Sequence, residues 1–249
     1  MLEEIKYHKP PIVEVVCEFR FVPGDPWDAA TPGLVYAELQ TVFPLRKTLR
    51  ILQSAVSPAE DGIQQQVLVV ERAQFLREDE KAFTQVGPNL LAVNHLEPYP
   101  TWETFRPLIQ HAYSAYREVT GPVGLQRIGL RYINRLEFPA QPVEFSDFLN
   151  FYPFTGPDLP QMVHAFDLRV QSAFESERDI LRLHLSSLET GESGRPTALL
   201  DLDYFLAHPQ AIELEAAFDW VNQAHDQIQV VFEACVTDAL RATFEPVES

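Results

Sequence analysis

Two long stretches of alternating apolar residues constrain the fold of this chain most. In the first, which starts at Pro11, the apolar positions are Val13, Val15, Cys17, Phe19 and Phe21. In the second, within 125–138, they are Ile128, Leu130, Tyr132, Leu136 and Phe138. Because successive side chains of a strand point to opposite faces, a period of two predicts strands that bury one face only. A sheet with a single covered face is typical of antiparallel pairing.

The first of these strands opens a series of elements that extends to residue 120. Thr31 is predicted to cap a short helix that has a proline at its first position and ends near Pro44. Turn-forming residues then separate four strands, predicted as an antiparallel meander at 49–57, 63–76, 81–87 and 90–97. Thr101 is expected to cap a helix that runs to about Val119, with Pro107 kinking it or delaying its start.

A similar order of elements is predicted after residue 121. The strand at 125–138 is followed by a short helix at 144–151, strands at about 162–173, 178–188 and 197–205, and a long helix at 210–244. The apolar stripe of that helix comprises Leu214, Phe218, Val221, His225, Ile228, Phe232, Cys235 and Ala239. Since these positions recur at spacings of three and four, the helix is expected to lie on a sheet.

The sequence therefore predicts an α+β fold of two β-α-β(3-4)-α halves, an N-terminal half at 1–120 and a C-terminal half at 121–249, in one compact unit. The repeated order indicates an internal duplication. Long helices that grip a curved antiparallel sheet are typical of helix-grip folds and of duplicated, saddle-shaped folds. The sequence leaves open whether the halves share one sheet. In such folds the space between helices and sheet is the expected ligand site.

Charge and composition disfavour several classes of protein. The chain has 36 acidic and 19 basic residues, a net charge of −17, which repels nucleic acid and anionic lipid. The first ten residues carry charges where a signal peptide needs an apolar stretch, and no apolar run reaches the roughly 18 residues of a membrane span. We expect a cytoplasmic protein that binds neither nucleic acid nor membrane. Cys17 and Cys235 lie far apart on apolar stripes, so we expect reduced core thiols.

Three arginines, Arg127, Arg131 and Arg135, share the polar side of the 125–138 strand, and the outer two are roughly 26 Å apart at strand rise. The planar guanidinium suits phosphate or carboxylate, so one hypothesis is a surface that binds an anion. The alternative is cross-strand pairing with the carboxylates of this chain, namely Glu14, Glu18, Asp201 and Asp203. Cross-strand pairing is the favoured interpretation, because opposite charges commonly face each other in sheets.

Asp201 and Asp203 leave the same side of a predicted strand about 7 Å apart. Two carboxylates at this spacing are able to hold a divalent metal ion. A lone D-x-D is a weak signal, however, and the phosphate-binding motif that such enzymes need is missing upstream. Pairing with arginine is therefore the favoured interpretation, and no metal site is expected.

Five positions are predicted to line the space between helix and sheet: Tyr132, Asn134, Asp203, Tyr204 and His225. Asn134 interrupts the apolar side of its strand, which indicates a buried hydrogen-bond network or a polar point in a pocket. His225 lies on the apolar stripe of the last helix. It is either a core residue held by hydrogen bonds, which is the favoured interpretation, or a base or ligand.

The sequence shows none of the common catalytic or cofactor-binding motifs. It has no P-loop, no G-x-G-x-x-G, no G-x-S-x-G and no H-E-x-x-H. Its ten glycines also offer little for a loop that cradles a cofactor. No cofactor is therefore expected, and an enzymatic role is the less favoured one.

Three stretches carry a resemblance to a known family: Pro10–Phe21, Arg127–Arg135, and Leu200–Phe205 with the helix around Trp220 and His225. They resemble a sporadically distributed bacterial family of uncharacterised proteins of about this length. The resemblance spans nearly the whole chain and implies one architecture and a bacterial, cytoplasmic setting. It supplies no activity, so no catalytic residue is carried over.

The leading functional hypothesis is a binding or interaction protein whose partner is another protein or a small anionic molecule. A protein could dock on the Pro-rich loop with Phe151, Tyr152 and Phe154, although core packing explains these rings equally well. One alternative is a metal-dependent enzyme using Asp201 and Asp203 with His225. Another, based on acidic charge alone, is an antitoxin-like or immunity-like protein that neutralises a basic partner. The oligomeric state is left open.

Overall fold

The computed structural model describes residues 5–59, 62–139, 142–160, 163–189 and 194–247, with the backbone alone for 51–70. Within these residues nine strands form one antiparallel sheet: β1 (Ile12–Val22), β2 (Leu45–Ala59), β3 (Gly62–Leu76), β4 (Ala82–Gly87), β5 (Leu90–Leu96), β6 (Gly124–Glu137), β7 (Asp167–Phe174), β8 (Asp179–Leu188) and β9 (Thr197–Leu206). The same residues contain five α-helices: α1 (Thr31–Leu39), α2 (Trp102–Thr120), α3 (Phe145–Phe148), α4 (Ala217–Cys235) and α5 (Asp238–Arg241). The predicted α+β class with a large antiparallel sheet is confirmed.

The strands follow the order β2-β3-β4-β5-β1-β6-β9-β8-β7 across the sheet. The two alternating strands β1 and β6 thus lie side by side at its middle, with Cys17 opposite Leu130 and Phe19 opposite Ile128. In the first half, β2 to β5 form the predicted meander, whose last strand pairs with β1. In the second half, β7 to β9 form another, whose last strand pairs with β6. One sheet spans both halves.

One face of the sheet, called the covered face below, carries α2 and α4. The predicted alternation of β1 is confirmed there, since four of its apolar positions are at most 1% exposed: Val15, Cys17, Phe19 and Phe21. Two rings of α2 pack on them, with Tyr113 4.7 Å from Phe19 and Tyr116 4.7 Å from Phe21 between ring centroids. Burying a side chain of this size stabilises a fold by about 1.5–3 kcal/mol, so this layer is a main source of stability.

The prediction of one helix from 210 to 244 is wrong. α4 ends at Cys235 because Val236 takes an extended conformation and pairs with Leu149 in an isolated β-bridge. A new short helix, α5, begins only at Asp238. The apolar stripe is buried from Val221 to Cys235, whereas Ala239 lies beyond the break and is exposed.

The predicted cap of α1 is also wrong by one residue. Ala30 occupies the N-cap position and Thr31 is the first helical residue. The capping hydrogen bonds come from Asp28 instead, whose Oδ1 accepts from the backbone N–H groups of Ala30 at 2.7 Å and Thr31 at 3.0 Å. A carboxylate at the start of a helix is favourable because it satisfies free N–H groups and faces the positive end of the helix dipole.

Smaller differences concern element ends. α1 stops at Leu39, well before Pro44, and α3 is a single turn within the predicted 144–151. β7 begins at Asp167 rather than near 162, a residue that lies outside the described ranges. Thr101 is the N-cap of α2 as predicted, and Pro107 lies inside that helix without delaying its start.

Candidate functional site

A cavity that is partly open to solvent lies between the covered face of the sheet and the first turn of α2. The sheet contributes Tyr132, Asn134 and Leu202, and α4 contributes Ile228, Gln229 and Phe232. The segment that leads into α2 adds Tyr99, Pro100, Thr101 and Trp102. A mostly apolar lining with a few polar groups is typical of small-molecule sites.

The N-terminal segment supplies a further wall of the cavity with Ile5–Tyr7 and Pro10–Ile12. The C-terminal segment holds it in place: the N–H groups of His8 and Lys9 donate to the carbonyls of Glu245 and Phe244 at 2.9 Å. The N–H of Val247 likewise donates to the carbonyl of Lys6 at 2.8 Å. We call residues 6–9 and 244–247 the terminal strap. Backbone pairing therefore fixes this wall.

A side-chain contact anchors the terminal strap to α4. The hydroxyl of Tyr7 donates to Oε1 of Glu233 at 2.6 Å, and Nε of Arg241 donates to Oε2 of the same carboxylate at 2.8 Å. Burial and the neighbouring Glu233 carboxylate raise the pKa of Tyr7, so this hydroxyl keeps its proton and remains a donor.

Four buried side chains form a connected polar and aromatic group beside the cavity, called the Tyr99–His225 cluster. The Tyr99 and Tyr132 hydroxyl oxygens are 3.2 Å apart, and the Tyr132 hydroxyl lies 3.0 Å from Nδ1 of His225. The His225 ring stacks on Trp102 with centroids 4.2 Å apart and planes only 6° from parallel. Each of the four residues is at most 9% exposed. The sheet, α2 and α4 thus meet in one hydrogen-bonded and stacked unit.

His225 is held as the neutral imidazole. Burial lowers its pKa from 6.5 to about 4, although the Glu103 carboxylate pulls the pKa in the other direction. A neutral imidazole donates from one ring nitrogen and accepts at the other. The Tyr99–His225 cluster consequently offers uncharged polar groups.

Asn134 places an amide in the lining of the cavity at a position where its strand is otherwise apolar. Its side chain is 2% exposed, and Nδ2 donates to the carbonyl of Leu200 on β9 at 3.1 Å. Each amide group has two donor hydrogens and two acceptor lone pairs. Asn134 is therefore both a cross-strand tie and a polar point of the cavity.

Tyr204 does not join the cavity. Its hydroxyl donates to Oδ2 of Asp179 at 3.2 Å, and Nε1 of Trp220 donates to Oδ1 of the same carboxylate at 2.8 Å. Arg178 adds a bond to Oδ2 at 2.6 Å. Asp179 is fully buried, so these three donors compensate the cost of removing its carboxylate from water. This group ties β8 and β9 to α4.

The three predicted arginines lie on the other face of the sheet, which we call the arginine face. Arg131 donates from Nε and Nη2 to the two oxygens of Asp201, at 2.7 and 2.6 Å. Arg127 lies 3.2 Å from Glu18 and 3.3 Å from Asp203. The pairing alternative thus describes these two arginines.

Arg135 and Glu14 are not paired with each other or with the aspartates of β9. Arg135 has its nearest carboxylate in Glu137 of its own strand, at 3.7 Å. Glu14 accepts a bond of 2.7 Å from Nδ2 of Asn94. The guanidiniums of Arg127 and Arg182 also lie over the ring of Phe205, at 4.8 and 5.3 Å from its centroid. Contacts within the chain therefore account for most of this surface.

Asp201 and Asp203 are both engaged on this face. Burial raises the pKa of Asp203, while Arg127 and Arg182 pull it down. His225 belongs to the covered face, so the sheet separates it from the two aspartates. Within the described residues, no three His, Cys, Asp or Glu side chains form a group able to hold a metal ion.

The structure thus divides the predicted site residues into three groups. Tyr132 and Asn134 line the cavity, and His225 lies beside it in contact with Tyr132 but is not part of the lining. Tyr204 joins Asp179, and the arginines occupy the arginine face. Tyr99, Trp102 and the N-terminal wall were not predicted as part of a site. Trp102 directly follows a helix cap and recurs at helical spacing with the apolar residues of α2, which gives no information on the distant residue it stacks against.

The Pro-rich loop with Phe151, Tyr152 and Phe154 has one strongly exposed ring. Phe154 is 78% exposed, whereas Phe151 and Tyr152 pack partly against the core. Core packing therefore explains Phe151 and Tyr152, whereas it does not explain Phe154.

In comparisons with known proteins, no family model and no curated protein matches the chain. Within the described residues, none of the helices combines the length and apolar character needed to cross a bilayer.

Proposed function

We propose that this protein is a binding protein whose cavity holds a small, uncharged ligand with an apolar, ring-containing body and one or two hydrogen-bonding groups. The observation that carries the proposal is the cavity itself, formed where the sheet, α2, α4 and the terminal strap meet. Clefts between packed elements with a mostly apolar lining are where small molecules usually bind.

The lining indicates the chemistry of the ligand. Trp102, Tyr99 and Phe232 supply aromatic surfaces, and Ile228 and Leu202 supply aliphatic ones. Rings pack well in edge-to-face or offset contact with such walls. The amide of Asn134 and the hydroxyl of Tyr132 supply the few polar contacts that fix orientation in apolar sites.

Charge favours an uncharged ligand. His225 is neutral, and Lys6, the one charged side chain among the described lining residues, is paired with Glu103 at 3.1 Å. An anion would also approach a molecule of net charge −17, whose field opposes it. An anion on the arginine face would in addition have to displace the carboxylates that hold Arg127 and Arg131.

A fluorescent probe tests the cavity. N-phenyl-1-naphthylamine is an uncharged aromatic amine whose emission rises in apolar surroundings. Gln229→Trp would place an indole in the cavity from a partly exposed position of α4, so we expect probe affinity to fall at least about tenfold. Gln223→Trp makes the same change at an exposed position of α4 outside the cavity and should leave affinity unchanged.

Two further results complete this test. Equal probe affinity in Gln229→Trp and the unchanged protein would place the probe elsewhere and remove the basis of the proposal. Native mass spectrometry of protein purified gently from its own host should show a small-mass adduct that is lost in Gln229→Trp. Arg131→Ala separates the two ligand surfaces, because a cavity ligand keeps its affinity whereas an anion on the arginine face loses it.

The exposed ring of Phe154 supports a second proposal, that a protein partner docks on the loop at 151–154. Exposed large apolar side chains are common at such surfaces. Phe154→Ser should then release a protein that copurifies with the unchanged chain. An equal yield of that protein with both chains would exclude docking on the loop.

The hypothesis of an acidic neutraliser rests on charge alone and stays a prediction.

The predicted internal duplication bears on how the cavity is formed. In each of the halves 1–120 and 121–249 the first strand lies at the middle of the sheet, and a long helix on the covered face follows the last strand. We infer that the two halves descend from one unit, and that α2 and α4 are equivalent helices that grip the ligand from two sides. The cavity would then be a site formed by the repeat.

A further inference from the structure

The longest feature of the sheet is the hairpin of β2 and β3. Its register runs without a break from Leu45 opposite Leu76 to Ala59 opposite Gly62. The neighbouring strand β4 pairs only with Ala73–Leu76 of β3. Eleven register pairs, from Leu49 and Arg72 to the end, therefore extend beyond the sheet, which at about 3.3 Å per residue is about 36 Å. We call residues 49–59 and 62–72 the arm.

The root of the arm is firmly attached. Tyr36 of α1 packs against Phe75 with ring centroids 5.2 Å apart, and Arg46 lies over the Tyr36 ring at 4.7 Å. Nζ of Lys47 is 2.5 Å from Glu80 in the turn before β4. These contacts anchor the residues of β2 and β3 that lie next to the arm.

The composition of the arm differs from that of the rest of the chain. The eighteen residues 51–59 and 62–70 contain no charged residue, although 22% of the whole chain is charged. Two-stranded ribbons are marginally stable alone in water. A long, uncharged edge strand also presents free N–H and C=O groups to another strand. Most soluble proteins protect such edges with charges, so this one is expected to be paired.

We propose that the arm pairs with the arm of a second copy of this chain, by antiparallel association of the two β2 edges. In the sheet β2 is the terminal strand, so its outer edge has no neighbour among the described strands. Pro58 lacks an N–H, which limits the ladder to the residues before it, about Leu49–Ser57. Antiparallel pairing about a two-fold axis lets the same segment serve in both copies.

Charge explains why a second copy fits the arm. Two bodies of net charge −17 repel each other in direct contact. In an antiparallel ladder of Leu49–Ser57, residue 49 of each copy lies opposite residue 57 of the other, so the two roots are about 26 Å apart. This is about three times the screening length of about 8 Å at physiological salt. Apart from Arg50, the residues of the ladder are uncharged. The geometry thus allows association that the charge of the bodies would otherwise oppose.

Sedimentation equilibrium of four proteins tests this dimer. The full chain should show twice the monomer mass of 28.4 kDa. Gln53→Lys with Ser54→Lys adds two positive charges to β2, and like charges brought together across the two-fold should return the protein to the monomer mass. The matched control is Gln171→Lys with Ser172→Lys, the same dipeptide in the opposite edge strand β7, which should remain a dimer.

The fourth protein replaces residues 51–70 with Asn-Gly. Arg50 and Glu71 are register partners, so this dipeptide closes them with a two-residue hairpin turn. We expect a monomer with an unchanged covered face. If this variant fails to fold, hydrogen exchange on the full chain decides, because amides of 49–57 should exchange more slowly as protein concentration rises.

Three outcomes would overturn the proposal. The full chain could stay monomeric at every concentration, the dimer could survive in the shortened protein or in Gln53→Lys with Ser54→Lys, or only the β7 control could dissociate. A monomer that binds a different protein through the arm would count as the first of these.

Discussion

At the scale of single residues, His225 contacts both the central strand β6 and the helix α2. His225 bonds the central strand through Tyr132 and stacks on the first residue of α2. A charged imidazole would lose favourable surroundings here, because burial lowers its pKa to about 4. The residue therefore couples the protonation of one ring to the packing of two helices on the sheet.

This coupling predicts a pH dependence of stability. As the pH falls from 6.5 towards 4, the unfolded chain takes up a proton at His225 and the native protein does not. The free energy of unfolding should therefore decrease by up to about 3 kcal/mol over this window, and no further loss from this group should occur below it. Urea unfolding across the range measures the effect.

His225→Phe removes the titrating ring, so the free energy of unfolding of this variant should depend less on pH between 6.5 and 4, whatever its absolute stability. Identical slopes for this variant and the unchanged protein would show that His225 is not the titrating group.

Sequence analysis identified part of the cavity at this scale. Asn134 and His225 stood out because each interrupts an apolar stripe, and both lie at the cavity or beside it. Tyr99 and Trp102 did not stand out, since an aromatic residue near a helix start is ordinary in a core. Their role depends on contacts with residues more than thirty positions away, and periodicity contains no information on such contacts.

At the scale of elements, the turn between β7 and β8 is strained. Glu175, Ser176 and Glu177 all have positive φ, at 48°, 55° and 67°. Each non-glycine residue in this left-handed region costs roughly 1–2 kcal/mol. Directly after the turn, Asp179 accepts hydrogen bonds from Arg178, Tyr204 and Trp220.

Ser176→Gly should therefore stabilise the protein by about 1 kcal/mol, because glycine adopts this conformation without the Cβ penalty. Chemical denaturation measures the gain. Ser176→Ala removes the hydroxyl but keeps the Cβ, so it should give no gain. A similar increase for both variants would point to the hydroxyl rather than the backbone.

Asp179 is expected to be costly to remove. Asp179→Ala leaves Nε1 of Trp220 and the Tyr204 hydroxyl without their acceptor in a buried site, so we expect a loss of about 2–4 kcal/mol in the free energy of unfolding. Asp226→Ala, at an exposed position of α4, should change stability by less than about 0.5 kcal/mol. Equal losses would mean that the buried bonds contribute little.

The order of elements was largely predictable, and their ends were less so. Strict alternation located β1 and β6 because a half-buried strand needs it. The break between α4 and α5 was not predictable, since the stripe continues in register through Cys235 to Ala239. The bridge between Val236 and Leu149 is a tertiary contact that overrides helical propensity at this point.

At the scale of the whole molecule, both thiols report on global opening. Cys17 and Cys235 are free and buried, and burial raises the pKa of each, that of Cys235 to about 12. Since the thiolate is the reactive form, a disulfide reagent should label the native protein at least about a thousandfold more slowly than the unfolded chain.

The two labelling rates should also agree, because both thiols lie in one core. A stopped-flow or hand-mixed assay with a chromogenic disulfide measures them, and Cys17→Ala and Cys235→Ala assign each rate. Fast labelling of one thiol in native buffer would show local opening of its strand or helix.

The terminal strap has a consequence for how the chain can be rearranged. Residues 6–9 run beside residues 244–247, so a short linker would join the two ends without crossing the molecule. Circular permutants that open the chain in an exposed turn, such as the one between β7 and β8, should keep the same sheet.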